Sequence, residues 1–549
     1  MASSKPPPSY GAWVSMRDTR SEFHAAGSAR HQGARLGLFV LWLGLVLFIA
    51  WHHAFWRDEV RALSLALQGD NVVEMLKSVH GEGHPALWYL LLRAAYFVVG
   101  NPIVLPLVSL GVASAGALLL VLKSPFPWWM IALLLLSGFA LYEYSVMARN
   151  YGLSVPLLCL LAICYPSHRD RGVLLGVLLF LLASTNLHSV VLVGAFLLFW
   201  LIDIVGEYGI RWTQPLKTFL VNAAVSAAGV AACFAMIYPT FNDAAFAALP
   251  EGITLKLLAR AVLLPAASFD QVSLAHFVTS AFGPLPGNIA VGLVSLAMFG
   301  SLLGLIRRPG AFIAALAALV VLSLFFTLVY NGGYRHQALW LVFLVTMYWI
   351  TRASDLEKTG ARVPVRFSAL VRPASAIGSA LMVLMVALQL PAGIIEIARA
   401  AYDLPPQSRA RDFSAWVAAR SDLQDAIIIA DPDYLLEALP YYIRNRTYLM
   451  REQRFGNVVK FTRKARLALD LDDILATART LRSQTGKPVL ILLHRTLDPS
   501  PPAQVYHEGY NWTLLTTPEQ VRGFLAATQF LARFAPAQSD ESFDVYLLA

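Results

Sequence analysis

The sequence predicts a polytopic α-helical membrane protein, with about eleven transmembrane helices, interfacial helices in its first outer loop, and a small α/β domain at its C-terminal end. Three observations carry this. Of 549 residues, 57% are hydrophobic and only 14% charged, too apolar for an ordinary soluble enzyme. The apolar residues are segregated: 36–395 is a series of blocks near the ~20 residues a membrane span needs, whereas 401–549 has the composition of a soluble domain. The net charge of +9 is scattered over short loops, so it reads as topology information and not as a nucleic-acid footprint.

The chain therefore divides into a cytoplasmic N-terminal segment (1–35), a transmembrane domain (36–396) and an extracytoplasmic α/β domain (397–549). The first segment is polar and basic, with Lys5, Arg17, Arg20, Arg30 and Arg35, and no small-residue cleavage site follows the apolar stretch after it. That stretch is expected to be a retained first helix and not a signal peptide. Cys159, Cys164 and Cys233 all fall in apolar spans, so none is placed to staple an exported loop and none has metal-type spacing.

Candidate spans are 36–54, 104–122, 128–147, 151–165, 173–186, 190–205, 219–238, 288–306, 311–330, 336–351 and 374–395. A twelfth stretch, 85–99, is short and ends abruptly at Gly100-Asn101-Pro102. Charge decides its placement. With the N-terminus inside and 85–99 not crossing, the inside connections hold Lys123, Arg169 and Arg171, Arg211 and Lys217, Arg307 and Arg308, and the basic loop 352–372. A crossing 85–99 would invert nearly all of them. It is expected to lie on the outer surface with Trp88 and Tyr89 at headgroup level. The outer face then gathers 55–103, 148–150, 240–287 and 331–335, and the polar span ends Glu143, Arg149, Tyr151, Asn186, His188, Arg335 and His336 cluster there.

In the tail, 426–430 (AIIIA), 489–494 (VLILLH) and 543–548 (FDVYLL) read as strands, with helical patterns at 434–442 and 467–480 between them. Asp431-Pro432-Asp433-Tyr434 follows the first strand, a position suited to binding residues and equally to a plain turn and helix cap.

Chemistry concentrates in FWRDEVRALSLALQG at 55–69. Asp58 and Glu59 stand between Arg57 and Arg61 just beyond the first span. A carboxylate there can take a proton from an attacking hydroxyl, and forked guanidiniums suit a phosphate-bearing substrate. An interfacial helix start with solvated charges fits the same residues. In HGEGHPALWYLLLR at 80–93, Gly81, Gly83 and Pro85 set His84 at the head of a surface helix, as the rim of a groove or simply as a Pro-initiated helix start.

A first span ending in Asp-Glu, then an amphipathic helix, then His-Pro-x-Leu-x-Tyr-Leu-Leu-Leu resembles the GT-C glycosyltransferase superfamily. The resemblance is to the bacterial dolichyl-phosphate-mannose-mannosyltransferase-like branch, which includes aminoarabinose and galacturonic acid transferases acting on lipid A. The segment YEYSVMARNY at 142–151 resembles that family's Ser-x-x-Ala-Arg-x-Tyr segment. The resemblance implies an inverting transfer of a sugar from a polyprenyl-phosphate donor to a hydroxyl of a lipid, glycan or protein. It places the enzyme at the outer face of a bacterial inner membrane, and it puts the catalytic base at Asp58 with Glu59 as its neighbour. Two departures stand out: Ala86 replaces the family's second proline, and the second outer loop lacks an Asp-x-Asp metal pair. No bound metal and no cofactor are expected.

Asn331-Gly332-Gly333-Tyr334-Arg335-His336 lies at the outer end of two spans. Arg335 and His336, with Arg149 and with Arg57 or Arg61, are candidates for holding the donor phosphate as charge grows on it; a tight turn with a snorkelling arginine is the plainer alternative. His84, Glu143, Tyr151, His188 and Tyr334 complete the expected pocket. The long loop 240–287, carrying Asn242, Asp243, Glu251, Lys256, Arg260, Asp270 and His276, reads as a lid. A lipid or sugar flippase without transferase activity is the competing class, but no repeat relates the two halves and the polar residues gather at one face. A ligase using a diphosphate-linked donor would share the membrane setting and not the placement of Asp-Glu.

Overall fold

The computed structural model describes residues 11–238, 242–243, 252–273, 287–356 and 368–548. Glu251 and His276, expected in the lid, lie outside them, as do parts of the inside loop at 357–367.

Among the described residues, seven helical stretches are long and apolar enough to cross a membrane: Gln32–His52, Val104–Lys123, Asn150–His168, Leu187–Tyr208, Gln214–Ile237, Pro309–Leu328 and Leu370–Ala401. At 1.5 Å per residue each spans about 30 Å or more. They belong to α1 (Gly11–His52), α5 (Val104–Lys123), α7 (Ser154–His168), α9 (Leu187–Tyr208), α10 (Gln214–Ile237), α14 (Pro309–Leu328), and α16 (Ser368–Ala387) with α17 (Leu390–Ala401). A further long helix, α15 (Tyr334–Leu356), is buried along nearly its whole course from Ala338 to Ile350 and forms the axis of the bundle.

Among the expected spans, 128–147 and 173–186 depart most from continuous helix. The stretch 128–147 holds α6 (Trp128–Leu135), a π turn at Phe139–Glu143 in which the Tyr144 amide reaches back five residues to the Phe139 carbonyl, and then irregular chain. The break has a steric cause. The chain at Gly138 meets α17 so closely that a Cβ on Gly138 would stand 2.5 Å from the Ala392 Cβ, and one on Gly393 would stand 2.3 Å from the Leu136 carbonyl oxygen. The stretch 173–186 holds only α8 (Leu174–Ala183), about 15 Å long. It stops because Asn186 leaves the helix to cap α9, its side-chain oxygen accepting from the Ser189 amide at 2.9 Å. The short α8 leaves a recess beneath one end of the bundle.

The opposite end collects basic side chains in structural roles. Arg35 donates to the Val121 and Ser124 carbonyls at 3.2 Å each, Arg169 pairs with Glu207 at 2.5 Å, and Arg308 pairs with Asp203 at 2.5 Å. The recessed end carries three surface helices, α2 (Arg57–Ala66), α3 (Val72–Val79) and α4 (Leu87–Val99). Trp88 and Tyr89 do not face outward, the orientation expected from the sequence. They are 2% and 3% exposed, because α4 turns them inward together with Leu92 and leaves Phe97, 91% exposed, on the outside.

The C-terminal unit is built on a sheet of order β1-β5-β9-β8: β1 (Ile427–Asp431) runs parallel to β5 (Val489–Leu493), and β9 (Phe543–Leu548) is antiparallel to both β5 and β8 (Gln529–Phe534). The three strands read from the sequence are β1, β5 and β9. The expected helix at 434–442 is instead two 3-10 turns, Asp433–Leu436 and Leu439–Tyr441. The pattern at 467–480 begins as strand β4 (Ala468–Asp470) and becomes helical only at Leu471, where Asp470 caps the Asp473 amide at 2.7 Å. This unit is no loose appendage. Val60, Leu63, Trp88 and Leu92 of the surface helices share one buried cluster with Phe413, Ile428, Tyr434 and Val545 of the tail, and residue 397, the expected boundary, falls inside α17.

Asp431-Pro432-Asp433-Tyr434 is a structural corner. Asp431 accepts from Arg451 at 2.6 Å, and Asp433 accepts the Met450 and Arg451 amides at 3.0 Å each. Arg451 and Asp431 are both essentially without solvent contact, so removing one partner leaves a buried charge unpaired. Arg451→Ala is expected to destabilise the tail by about 3–5 kcal/mol, read as a fall in the thermal unfolding midpoint of the detergent-purified full chain, whereas surface Arg522→Ala leaves the midpoint unchanged.

Candidate active site

Adjacent residues on a helix point about 100° apart, and this separates the two carboxylates that open α2. Glu59 turns inward, 0% exposed. Its Oε1 accepts the Ala148 amide at 2.7 Å, and its Oε2 accepts the Trp56 amide at 3.2 Å and stands 2.9 Å from His53 Nε2. It lines no part of the cavity beyond and is an anchor. Asp58 turns the other way, into that cavity, where Arg149 Nη1 bonds its Oδ2 and Arg57 Nε lies 3.8 Å from its Oδ1. Two neighbouring acids thus grip two neighbouring residues, 148 and 149, from the irregular chain that the broken span creates.

The cavity has a volume of about 920 Å³. Its walls come from α2 (Arg57, Asp58, Arg61), the loop before α4 (Glu82, His84), Arg149 and Tyr151, the starts of α9 (Asn186, His188) and α15 (Arg335, His336), and the ends of α10 (Phe234, Ile237) and α14 (Phe325, Tyr330). It sits over the recess that short α8 leaves. The recess floor is held by Ser154, whose hydroxyl lies 3.0 Å from that of Thr185 and 2.9 Å from that of Ser189, and by Asn150, which donates to the Thr185 carbonyl at 2.5 Å.

Of the residues expected in the pocket, His84, Tyr151, His188 and His336 form one connected group. His336 Nδ1 accepts the Gly333 amide at 2.7 Å, which leaves Nε2 protonated to donate to the Tyr151 hydroxyl at 2.8 Å. The Tyr151 hydroxyl in turn lies 3.3 Å from His84 Nε2, as does Arg149 Nη2. Burial and then the Arg149 charge push the His84 imidazole down to about 3, so it is a neutral acceptor. His188 is 6% exposed, its ring against Phe326 and His336, and neither ring nitrogen has a hydrogen-bond partner. A buried imidazole with both nitrogens unsatisfied on a cavity wall is a group waiting for a ligand.

Arg335 is weakly held, its Nη1 donating to Met147 Sδ at 3.2 Å. Its guanidinium lies 5.5 Å from the Trp56 ring and 6.0 Å from the Tyr151 ring, with Glu143 3.9 Å away and Nε buried without a partner. Burial alone would raise the Asp58 carboxyl, but Arg149, Arg57 and Arg335 together outweigh it and hold the group well below the usual carboxylate range.

Three expectations need correction. Arg57 and Arg61 line the cavity but are paired with carboxylates: Arg57 bonds both carboxylate oxygens of Asp540, and Arg61 bonds Glu82 at 2.5 Å and Glu437, keeping Nη2 without a partner. Tyr334 faces away, one helical step back from Arg335, and donates to Gln389 at 2.9 Å. Glu143 lies behind Arg335, outside the lining. Lining residues absent from the sequence reading are Glu82, Tyr330, Glu437, Phe461 and Tyr510. Glu82 had a signal, since it stands between Gly81 and Gly83, both at left-handed φ (85° and 86°). The last three come from the tail, across a gap in sequence that no local pattern bridges. From the expected lid, Asn242 ties the cavity to the tail, donating to the Gly81 carbonyl at 3.2 Å and accepting the Phe461 amide at 3.0 Å. Among the described residues, no group of three or more His, Cys, Asp or Glu side chains is placed to hold a metal ion.

The tail docks through Glu541, whose Oε1 accepts the Arg57 amide at 2.8 Å while Oε2 is buried without a partner. Burial, opposed by Arg57, pushes this carboxyl up from 4.5 to about 8. The folded state therefore binds the proton more tightly than the unfolded one. Its contribution is fully present below about pH 4.5 and lost as pH rises through about 8. The unfolding midpoint of the full chain is expected to fall over that interval, and Glu541→Gln to flatten the fall, measured by fluorescence-monitored melting across the pH series.

No family model and no curated protein matches the sequence. Among solved structures, the chain is similar to ArnT from Cupriavidus metallidurans bound to undecaprenyl phosphate, at 13% identity and a TM-score of 0.42, covering 94% of this chain and 98% of that one. The apo state of the same protein gives 14% identity and a TM-score of 0.37 over the same shares.

Proposed function

We propose that the protein is a glycosyltransferase that moves a sugar from a polyprenyl-phosphate carrier to an acceptor hydroxyl at the outer face of a bacterial inner membrane. The N-terminus would be cytoplasmic and the tail periplasmic. One observation carries the reading: an ionised carboxylate, Asp58, shares a single large cavity with two guanidiniums, Arg149 and Arg335, of which one has no carboxylate in hydrogen-bond contact. Resemblance of the Asp58-Glu59, His84-Pro85 and 142–151 segments to the GT-C superfamily supports it.

In the proposed reaction the acceptor oxygen attacks the anomeric carbon from the side opposite the phosphate, and its proton passes to Asp58. The bond from the anomeric carbon to the phosphate oxygen breaks with its electron pair, leaving polyprenyl phosphate, and configuration inverts. Arg149, Arg335 and neutral His336 carry the growing charge on the phosphate, and His188 offers its open nitrogens to a hydroxyl of the donor sugar. Apolar Phe234, Ile237 and Phe325 on the bundle side of the cavity suit the carrier chain.

A carboxylate held this acidic by an arginine is a weak base. The donor resolves the conflict. Its phosphate competes for Arg149, and as that partner is drawn off, burial raises the Asp58 carboxyl toward a useful proton affinity. Base strength would then depend on the donor being in place, which limits unproductive chemistry on an empty site.

Asp58→Asn is expected to lower transfer by about 10²–10⁴-fold with undecaprenyl phosphate binding intact. Arg149→Ala and Arg335→Ala should each weaken that binding and lower transfer by about 10²–10³-fold. Native mass spectrometry of the purified protein with undecaprenyl phosphate reads the first quantity. Mass spectrometry of envelope lipids and glycans reads the second, from a strain lacking the gene and complemented with each variant. An Asp58→Asn strain with wild-type sugar modification removes Asp58 as the base; an unaltered envelope in the deletion strain, with carrier moved across vesicles, makes the protein a flippase.

A further inference from the structure

The C-terminal unit reaches over the rim of the cavity with Glu437, Phe461 and Tyr510, and the chemistry of these groups differs from that of the arginine side. The Phe461 and Tyr510 rings stack with centroids 3.8 Å apart at 24°, and the Arg61 guanidinium lies 5.1 Å over the Phe461 ring. Tyr510 and Asn511 are consecutive non-glycine residues at left-handed φ, 65° and 62°. Such backbone is costly for a residue with a Cβ, and two in a row project the tyrosine ring away from its own loop toward the cavity.

The polar atoms beside the rings are unfinished. Arg61 Nη1 and Glu437 Oε1 bond each other, yet Arg61 Nη2 and Glu437 Oε2 are both buried without a hydrogen-bond partner. Glu437 is 0% exposed, so its open oxygen has lost water without gaining a partner in the protein. A donor and an acceptor are thus presented together at the edge of a flat aromatic face. Tyr510, Phe461 and Glu437 line the same cavity as Asp58, so the face opens on the space that the proposed base faces.

We infer that the Phe461–Tyr510 wall with Arg61 and Glu437 is a saccharide subsite, which seats the acceptor as a sugar ring and aims one of its hydroxyls at Asp58. A pyranose has an apolar C–H face for the aromatic wall and hydroxyls at its rim for the open guanidinium nitrogen and carboxylate oxygen. A hydrocarbon chain would leave both polar atoms unsatisfied, and a serine side chain would leave the ring face bare. The inference rests on the transferase reading and names the class of its acceptor: a glycan or the sugar headgroup of a glycolipid, and not a protein hydroxyl.

Saturation-transfer NMR on the detergent-solubilised full chain, loaded with undecaprenyl phosphate, tests it with methyl β-glucoside, methyl β-galactoside and methyl β-glucosaminide, and with N-acetylserinamide as a non-sugar hydroxyl. Ring C–H signals of at least one glycoside should saturate. The effect should drop roughly tenfold in Tyr510→Ala, persist in Tyr510→Phe, and drop in Glu437→Gln, an isosteric change whose unfolding midpoint is measured alongside so that loss of the subsite is told from loss of tail docking. The inference is overturned if no glycoside saturates, if Tyr510→Ala and Glu437→Gln both match the wild type, or if the serinamide saturates as strongly as the sugars. Undecaprenyl phosphate binding, followed by native mass spectrometry in the same preparations, separates the two readings. Carrier bound without glycoside sinks only the subsite; glycoside bound without carrier sinks only the donor.

Discussion

The burial of Glu59 is the constraint on which the rest of the site depends. Its carboxylate, completely removed from solvent, is held by the Ala148 and Trp56 amides and by His53. An acid so placed cannot turn without exposing these donors, so the rotation of α2 about its axis is fixed. Asp58, one residue earlier, must then face the cavity, and Arg149, one residue after Ala148, must face Asp58. The geometry of the Asp58–Arg149 pair is a consequence of where the anchoring acid goes, and the anchoring acid is stabilised by groups from two different segments. Disturbing Glu59 would therefore misplace both members of the Asp58–Arg149 pair without touching either.

Four arginines around one cavity would repel each other and resist burial unless compensated. The chain solves this in two ways. Arg57 and Arg61 are paired with acids that come mostly from the tail, Asp540 and Glu437, so these contacts double as the rivets that hold the tail on the bundle, together with the Arg57 amide bond to Glu541. Arg149 and Arg335 have only partial compensation, Arg149 through Asp58 and Arg335 through Glu143 at the limit of contact. Positive charge left over at the second pair is what an incoming phosphate would find. The tail is thus part of the electrostatics of the site, and a bundle without it would expose Arg57 and Arg61 as competing anion sites.

Much of the architecture was legible because its signals are local. Apolar blocks of span length, the basic residues at one end, and the strands AIIIA, VLILLH and FDVYLL each follow from a single stretch of residues. Arg149, Tyr151, His188, Arg335 and His336 were legible as polar groups at span ends, and Asp58 and His84 from the charge-rich and Gly/Pro-punctuated stretches of the first outer loop. What the sequence hid is long-range. The break in the 128–147 span depends on Gly138 meeting Ala392 and Gly393, some 250 residues on, and no property of 128–147 alone reveals it. The commitment of Arg57 depends on Asp540, 483 residues away, and that of Arg61 in part on Glu437, 376 residues away. The inward turn of Trp88 and Tyr89 follows from where α2 and α5 sit, whereas the sequence pattern of 85–99 fits an outward turn as well.

The broken and shortened helices themselves have a functional logic. A continuous span at 128–147 and a full-length α8 would carry regular hydrogen-bonded backbone to the level of the headgroups, leaving no room for a polar site below it. Interrupting both lets Ala148 and Arg149 present an amide and a guanidinium from irregular chain, and lets Asn186 and His188 begin α9 at the cavity floor. Irregular backbone at that depth is tolerated only where its polar groups are satisfied inside the protein or face a cavity. Here the network of Ser154, Thr185, Asn186 and Ser189 satisfies one side and the cavity takes the other. On the proposed reading, a carrier phosphate at a lipid's end would stay near the membrane surface, and the recess would bring Asp58 and the arginines to the reacting carbon there without drawing the chain out of the bilayer.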